Sequence, residues 1–121
     1  MLVKRYCMVN VIKPECVEEY AKAHMNPWPE VLKSIKDAGT KEELIYIFKN
    51  YAILFIECED IDAYMEKFIN SEFGKKWMSD MYYMLGENDW ADENGNAKDM
   101  KGGLKKVFDL NQMLEGNFNQ F

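Results

Sequence analysis

Apolar residues along this chain follow two rhythms, and the places where the rhythm changes mark the elements. Over residues 3–12, Val-Lys-Arg-Tyr-Cys-Met-Val-Asn-Val-Ile, β-branched and aromatic residues crowd together without helical spacing until Pro14 stops them, which predicts a strand. A helix is predicted from about position 14. Pro14 suits a first turn, Glu15, Glu18 and Glu19 complement the positive end of the helix dipole, and Val17, Tyr20, Ala21 and His24 recur at i, i+3, i+4 and i+7. Tyr20 and His24 are therefore neighbours one turn apart. Pro27 and Pro29 interrupt this helix, and a second stripe, Val31, Leu32, Ile35 and Ala38, ends at Gly39 as a left-handed cap.

Residues 43–49 and 51–58 are two strand-like stretches joined by a tight polar turn at Lys49-Asn50, which predicts an antiparallel hairpin. Asp60 is placed to cap a helix carrying Ile61, Tyr64, Met65, Phe68 and Ile69, and Ser71 to cap a further one carrying Trp77, Met78, Met81 and Leu85. Residues 86–103 are polar and glycine-bearing, with Trp90 as their one aromatic residue, and predict a long loop. Residues 104–110 have strand character, and residues 111–121 form a terminal extension.

The predicted order is strand, helix, strand, strand, helix, strand: an α+β, ferredoxin-like βαββαβ domain over residues 1–121, with its helices on one side of an antiparallel sheet. Both parities of the first strand are apolar, Tyr6, Met8 and Ile12 against Cys7, Val9 and Val11. The sheet face without helices is thus expected to meet a second copy of the chain, giving a homodimer.

Composition narrows the partners. At 121 residues, 48% hydrophobic and 14% aromatic, the chain is long enough for one core, and the aromatic share suggests a lined pocket or an interface. A formal net charge of −6 and the lack of a lysine-rich stripe argue against nucleic acid or an anionic membrane as partner. There is no apolar run of membrane-spanning length and no signal-peptide pattern at the start, so a cytoplasmic location is expected. Cys7, Cys16 and Cys58 are far apart and have one histidine to join them, which encodes neither a disulfide framework nor a zinc site.

That histidine, His24, is the natural place for proton transfer near neutral pH, because imidazole both gives and takes a proton there. Taken alone, a histidine on a half-apolar helix is more often a hydrogen-bonded surface or core residue than a catalyst.

Around it, Glu19-Tyr20, His24, Asn26-Pro27 and Trp28-Pro29-Glu30 resemble the helix-one signature of the L-rhamnose mutarotases. Trp77 with Met81 on the late helix, and Val107-Phe108-Asp109-Leu110 near the end, extend the resemblance over most of the chain. It implies a dimeric α/β barrel of ferredoxin-like subunits that interconverts the α and β anomers of a deoxy monosaccharide without metal or organic cofactor. It also implies that His24 is the proton donor and that Tyr20 binds sugar hydroxyls. Trp77 matches the first of two tryptophans lining the sugar site; the second position is Met78, which keeps bulk and loses the indole donor. Where the family carries a sugar-binding tyrosine at the start of the second strand, this chain has Glu43, a hydroxyl ligand or second acid/base group if it faces inward. The alternative is that Glu43 is solvated and Tyr46 points inward. Trp28, between two prolines, is assigned to fixing the bend after His24.

Two other functions fit the same fold. One is a haem-binding protein or small monooxygenase with His24 as iron ligand and Asn26 and Trp28 nearby; the other is a non-catalytic sugar-binding protein.

Overall fold

The computed structural model describes residues 3–86, 104 and 106–116. Three strands form one antiparallel sheet in the order β1-β3-β2, with β1 at Lys4–Val11, β2 at Glu42–Phe48 and β3 at Tyr51–Cys58. Between β1 and β2 lie a short 3-10 turn, Pro14–Cys16, and two helices, α1 at Val17–Met25 and α2 at Pro29–Asp37. After β3 come α3 at Ile61–Asn70 and α4 at Glu72–Tyr82. Among the described residues no helix is long and apolar enough to cross a membrane.

The caps anticipated from sequence form. Asp60 Oδ1 accepts from the Asp62 and Ala63 amides at 3.0 and 3.1 Å, and Ser71 Oγ accepts from the Gly74 amide at 3.0 Å. Each such cap contributes about 1 kcal/mol by satisfying amides the helix cannot. Gly39 terminates α2 at φ 110°, a conformation that a side chain resists. Gly74 is required for space, since a Cβ there would overlap the Phe68 carbonyl oxygen where α3 turns into α4.

Register assigns every sheet side chain to a face. Met8 pairs with Leu54 and Ile45 also pairs with Leu54; Tyr6 and Glu43 both pair with Ile56. Even-numbered residues of β1 and β3 and odd-numbered residues of β2 therefore share the face beneath the helices. There Met8, Ile56 and Cys58 join Val31, Ile61, Tyr64 and Phe68 in one buried cluster, while Ile12, Tyr20, Ala52, Met81 and Met84 form another. Full burial of a side chain such as Ile56 or Ile61 is worth about 1.5–3 kcal/mol, so this face holds the domain together. The opposite face, with Cys7, Val9, Ile53 and Phe55 at its centre, carries Leu44, Tyr46, Phe48 and Tyr51 as exposed apolar residues.

The hairpin turn closes at Lys49, which adopts φ 55°, and Asn50 fastens it to the end of β1. The Asn50 side chain donates to the Ile12 carbonyl at 3.1 Å, and the Ile12 amide donates to the Asn50 carbonyl at 2.8 Å.

The closing strand expected over residues 104–110 does not form among the described residues. The Leu104 amide does reach the free edge of β1, donating to the Cys7 carbonyl at 3.2 Å, which is where a fourth ferredoxin-like strand would lie. That edge is otherwise taken by the chain leaving α4: the Lys13 amide donates to Met84, the Gly86 amide donates to Val11, and Ile12 bridges Leu85. Asp109 then caps a short helix, α5 at Leu110–Leu114, by accepting from the Gln112 amide at 3.0 Å, and this helix replaces the start of the expected extension. The predicted loop beyond Gly86, with Trp90, and residues 117–121 lie outside the described residues.

Candidate functional site

A cavity of about 860 Å³ lies between the inner sheet face and helices α1, α2, α3 and α4. That is within the size range of small-molecule sites. All five residues selected from the sequence, Tyr20, His24, Glu43, Trp77 and Met78, line it.

Helix α1 delivers the first two. Tyr20 is 3% exposed, and the side chain of Asn10 on β1 lies beside its hydroxyl. Burial and the nearby Glu43 charge push its pKa up to about 12, so it stays a neutral phenol. One turn later, His24 Nδ1 lies 2.8 Å from the Tyr20 backbone carbonyl. A carbonyl can only accept, so Nδ1 carries a hydrogen and the second ring nitrogen, Nε2, is left for the cavity. The imidazole lies between two rings, with centroids 4.2 Å from Tyr20 and 5.1 Å from Trp77 in an edge-to-face arrangement. Desolvation lowers its pKa below the ordinary 6.5, opposed in part by the hydrogen bond to Tyr20. His24 is thus neutral at pH 7, with an available lone pair.

Trp77 is held in turn. Trp28, the residue before α2, packs edge-on against it at 6.0 Å, so the Pro-Trp-Pro bend fixes the ring that fixes His24. Trp28 itself does not line the cavity. At the far end of α4, the Tyr83 hydroxyl donates to Glu19 Oε2 at 2.6 Å, tying α4 to α1 across the same seam.

Strand register settles the choice between Glu43 and Tyr46. Glu43 shares the inner face with Ile56, whereas Tyr46 pairs with Ile53 on the outer face and is 62% exposed. The inward-pointing Tyr46 is therefore not found. The Glu43 carboxylate accepts from the Tyr64 hydroxyl at 3.1 Å, and burial raises its pKa above the ordinary 4.5 while that hydrogen bond offsets part of the rise.

Four polar residues that line the cavity were not selected from sequence, Asn10, Glu15, Glu18 and Tyr64, of which Glu15 and Glu18 are exposed. Tyr64 sat at helical spacing among apolar residues and read as core; no signal in the sequence separates it from its neighbours. Asn10 did leave a signal, since it is the polar residue on the inward parity of an otherwise apolar strand.

The constellation that a haem ligand would need is not assembled. Asn26 turns back along its own helix, its side chain donating to the Lys22 carbonyl at 3.1 Å, and neither it nor Trp28 lines the cavity. Besides Asn10 and the exposed Glu15 and Glu18, the cavity holds a neutral imidazole, the buried Glu43 carboxyl biased toward its acid form and two phenols, with apolar walls such as Leu54 and Met81. Such a set suits proton transfer to and from a polyhydroxylated molecule.

Residues 5–110 match the sequence model of the family described as L-rhamnose mutarotase. The L-rhamnose mutarotase of Enterococcus faecalis is 30% identical over 112 residues, covering 91% of this chain and 100% of that protein. Its counterpart in Clostridium beijerinckii is 32% identical over 95 residues, covering 77% of this chain and 85% of the relative. For the fold alone, the crystal structure of L-rhamnose mutarotase from Formosa agariphila aligns with TM-score 0.63 at 22% identity, over 87% of this chain and 96% of that one. Tetracenomycin F2 cyclase of Streptomyces glaucescens, a type-II polyketide cyclase, aligns with TM-score 0.51 at 17% identity, over 85% and 99%. Two chemistries thus share this α+β ferredoxin-like scaffold, and the match that spans residues 5–110 decides between them: the chain belongs to the L-rhamnose mutarotase family.

Proposed function

We propose that this protein is an isomerase that interconverts the α and β anomers of L-rhamnose or a closely related deoxy sugar, using protons carried by His24 and Glu43. The observation that carries the reading is the hydrogen bond of His24: with Nδ1 committed to the Tyr20 carbonyl, Nε2 is left as the ring's acceptor, and His24 lines a cavity that also holds a desolvated carboxyl.

Ring opening then balances within the chain. Nε2 takes the proton of the anomeric hydroxyl, the O1 electron pair forms the aldehyde as the C1–O5 bond breaks, and O5 takes a proton from the Glu43 carboxyl. The aldehyde rotates about C1–C2. Closure on the other face runs the same transfers backwards, so His24 becomes the donor to O1 and Glu43 carboxylate recovers the O5 proton. One histidine is acceptor in the first half and donor in the second. Tyr20 and Asn10 offer hydrogen bonds to sugar hydroxyls, and Trp77 and Met78 present apolar surface to the deoxy end of the substrate.

NMR magnetisation transfer between the two anomeric protons of L-rhamnose tests this directly. Exchange above the uncatalysed rate is expected with micromolar protein; an unchanged rate for L-rhamnose and other deoxyhexoses would remove the proposal.

The working unit is read as a cytoplasmic homodimer, in keeping with three unpaired cysteines and with the exposed outer sheet face of Leu44, Tyr46, Phe48 and Tyr51. Apolar surface of this kind on an antiparallel sheet is normally covered by a second layer. Light scattering on a size-exclusion column is expected to return twice the chain mass, and a stable monomer at high concentration would defeat the dimer.

A further inference from the structure

Helix α3 supplies a group that the acid/base reading does not use. Tyr64 is 3% exposed, its ring stacked on Phe68 with centroids 6.2 Å apart, and its hydroxyl bonds to Glu43. Packing fixes the ring, so the hydroxyl is held where it stands and the carboxyl must come to it.

We infer that Tyr64 is the positioning residue of Glu43, its hydroxyl holding Oε1 so that the transferable proton sits on Oε2. The chemistry is one of hydrogen-bond parity. A phenol that donates to Oε1 makes that oxygen an acceptor, so in the acid form the carboxyl's own hydrogen resides on the other oxygen. Rotation of the carboxyl would break the bond, and Tyr64 therefore selects both which oxygen faces the sugar and which one is protonated. Burial and the neighbouring Glu43 charge raise the Tyr64 pKa, so the phenol remains a donor over the whole working range. The other titratable groups that sense the Glu43 charge, Tyr20 on α1 and Cys58 on β3, are raised as well and stay neutral.

This inference rests on the reading of Glu43 as a proton carrier, and two readouts keep them apart. Tyr64→Phe retains the stacked ring and removes only the donor. Anomer exchange in that variant is expected to fall about tenfold in kcat, the worth of one hydrogen bond to a charged group, with KM little changed. The limb of the pH profile controlled by Glu43 should move to higher pH, because the bond that lowers its pKa is gone. Adding Tyr64→Phe to Glu43→Gln should slow the protein no further than Glu43→Gln alone. Independently of activity, a carbon-13 carboxyl titration without sugar should show the Glu43 midpoint raised in Tyr64→Phe. An unshifted titration, or effects that multiply in the double variant, would overturn the role of Tyr64. A shifted titration in a protein that catalyses no exchange would instead overturn the proton-carrier reading and leave the hydrogen-bond geometry standing.

Discussion

Replacing His24 with alanine is expected to lower protein-catalysed anomer exchange by about a hundred- to ten-thousand-fold, the usual contribution of a positioned acid/base group. The loss should be chemical before it is structural. The imidazole sits between the Tyr20 and Trp77 rings, so its removal leaves a ring-sized gap in a wall that Trp28 and the Tyr83–Glu19 hydrogen bond still support. Imidazole added to the His24→Ala protein can occupy that gap and restore part of the exchange, whereas a protein that had simply lost its packing would not respond. In the wild type, activity should decline as pH falls through the His24 pKa, which burial places below 6.5, because the protonated ring has no lone pair to receive the O1 proton. Magnetisation transfer measured across pH for the wild type and His24→Ala decides the point: retained exchange in the variant, or a flat acid limb, would take the proton-transfer role away from His24.

Much of this site was legible before the fold was known, because its parts obey local rules. Tyr20 and His24 are one helical turn apart by periodicity alone, and Trp77 follows Ser71 and its cap by a spacing that the helix preserves. The hairpin was legible for the same reason, since two stretches rich in β-branched and aromatic residues flank the tight polar turn at Lys49-Asn50. What the sequence left open was set by register, which is a tertiary property. Glu43 and Tyr46 are three apart and lie on opposite sheet faces, so pairing with Ile56 rather than Ile53 decides which one faces the cavity, and a slip of one residue would reverse the answer. Tyr64 was hidden by the opposite effect: an aromatic at helical spacing is packed by its ring whatever its hydroxyl does. Residues 106–109 include Val107 and Phe108 and still form no strand, and Asp109 serves instead as the cap of α5.

Glu43→Gln is expected to reduce exchange by about a hundredfold or more while raising thermal stability at neutral pH, and the combination distinguishes a catalytic carboxyl from a structural one. The catalytic half follows from populations. Ordinary values of 4.5 for glutamate and 6.5 for histidine would make neutral histidine with protonated glutamate a minor state at every pH. Burial moves the two in opposite directions, the carboxyl up and the imidazole down, so the pair approaches the state that ring opening requires. Glutamine keeps the shape and, through its amide oxygen, the hydrogen bond from Tyr64, but it has no proton to give to O5. The stability half follows from linkage. A carboxyl whose folded pKa is raised binds its proton more tightly in the folded protein than in the unfolded chain, so its favourable contribution is present below the unfolded value and is lost as pH rises through the folded one. Ionising Glu43 therefore leaves the wild type with a poorly solvated carboxylate that glutamine lacks. Melting curves should show Glu43→Gln above the wild type at pH 7 and the gap closing as the buffer is acidified below the unfolded pKa. A variant that is both inactive and less stable at pH 7 would mean that the carboxylate holds the fold together, and the acid/base role would fall with it.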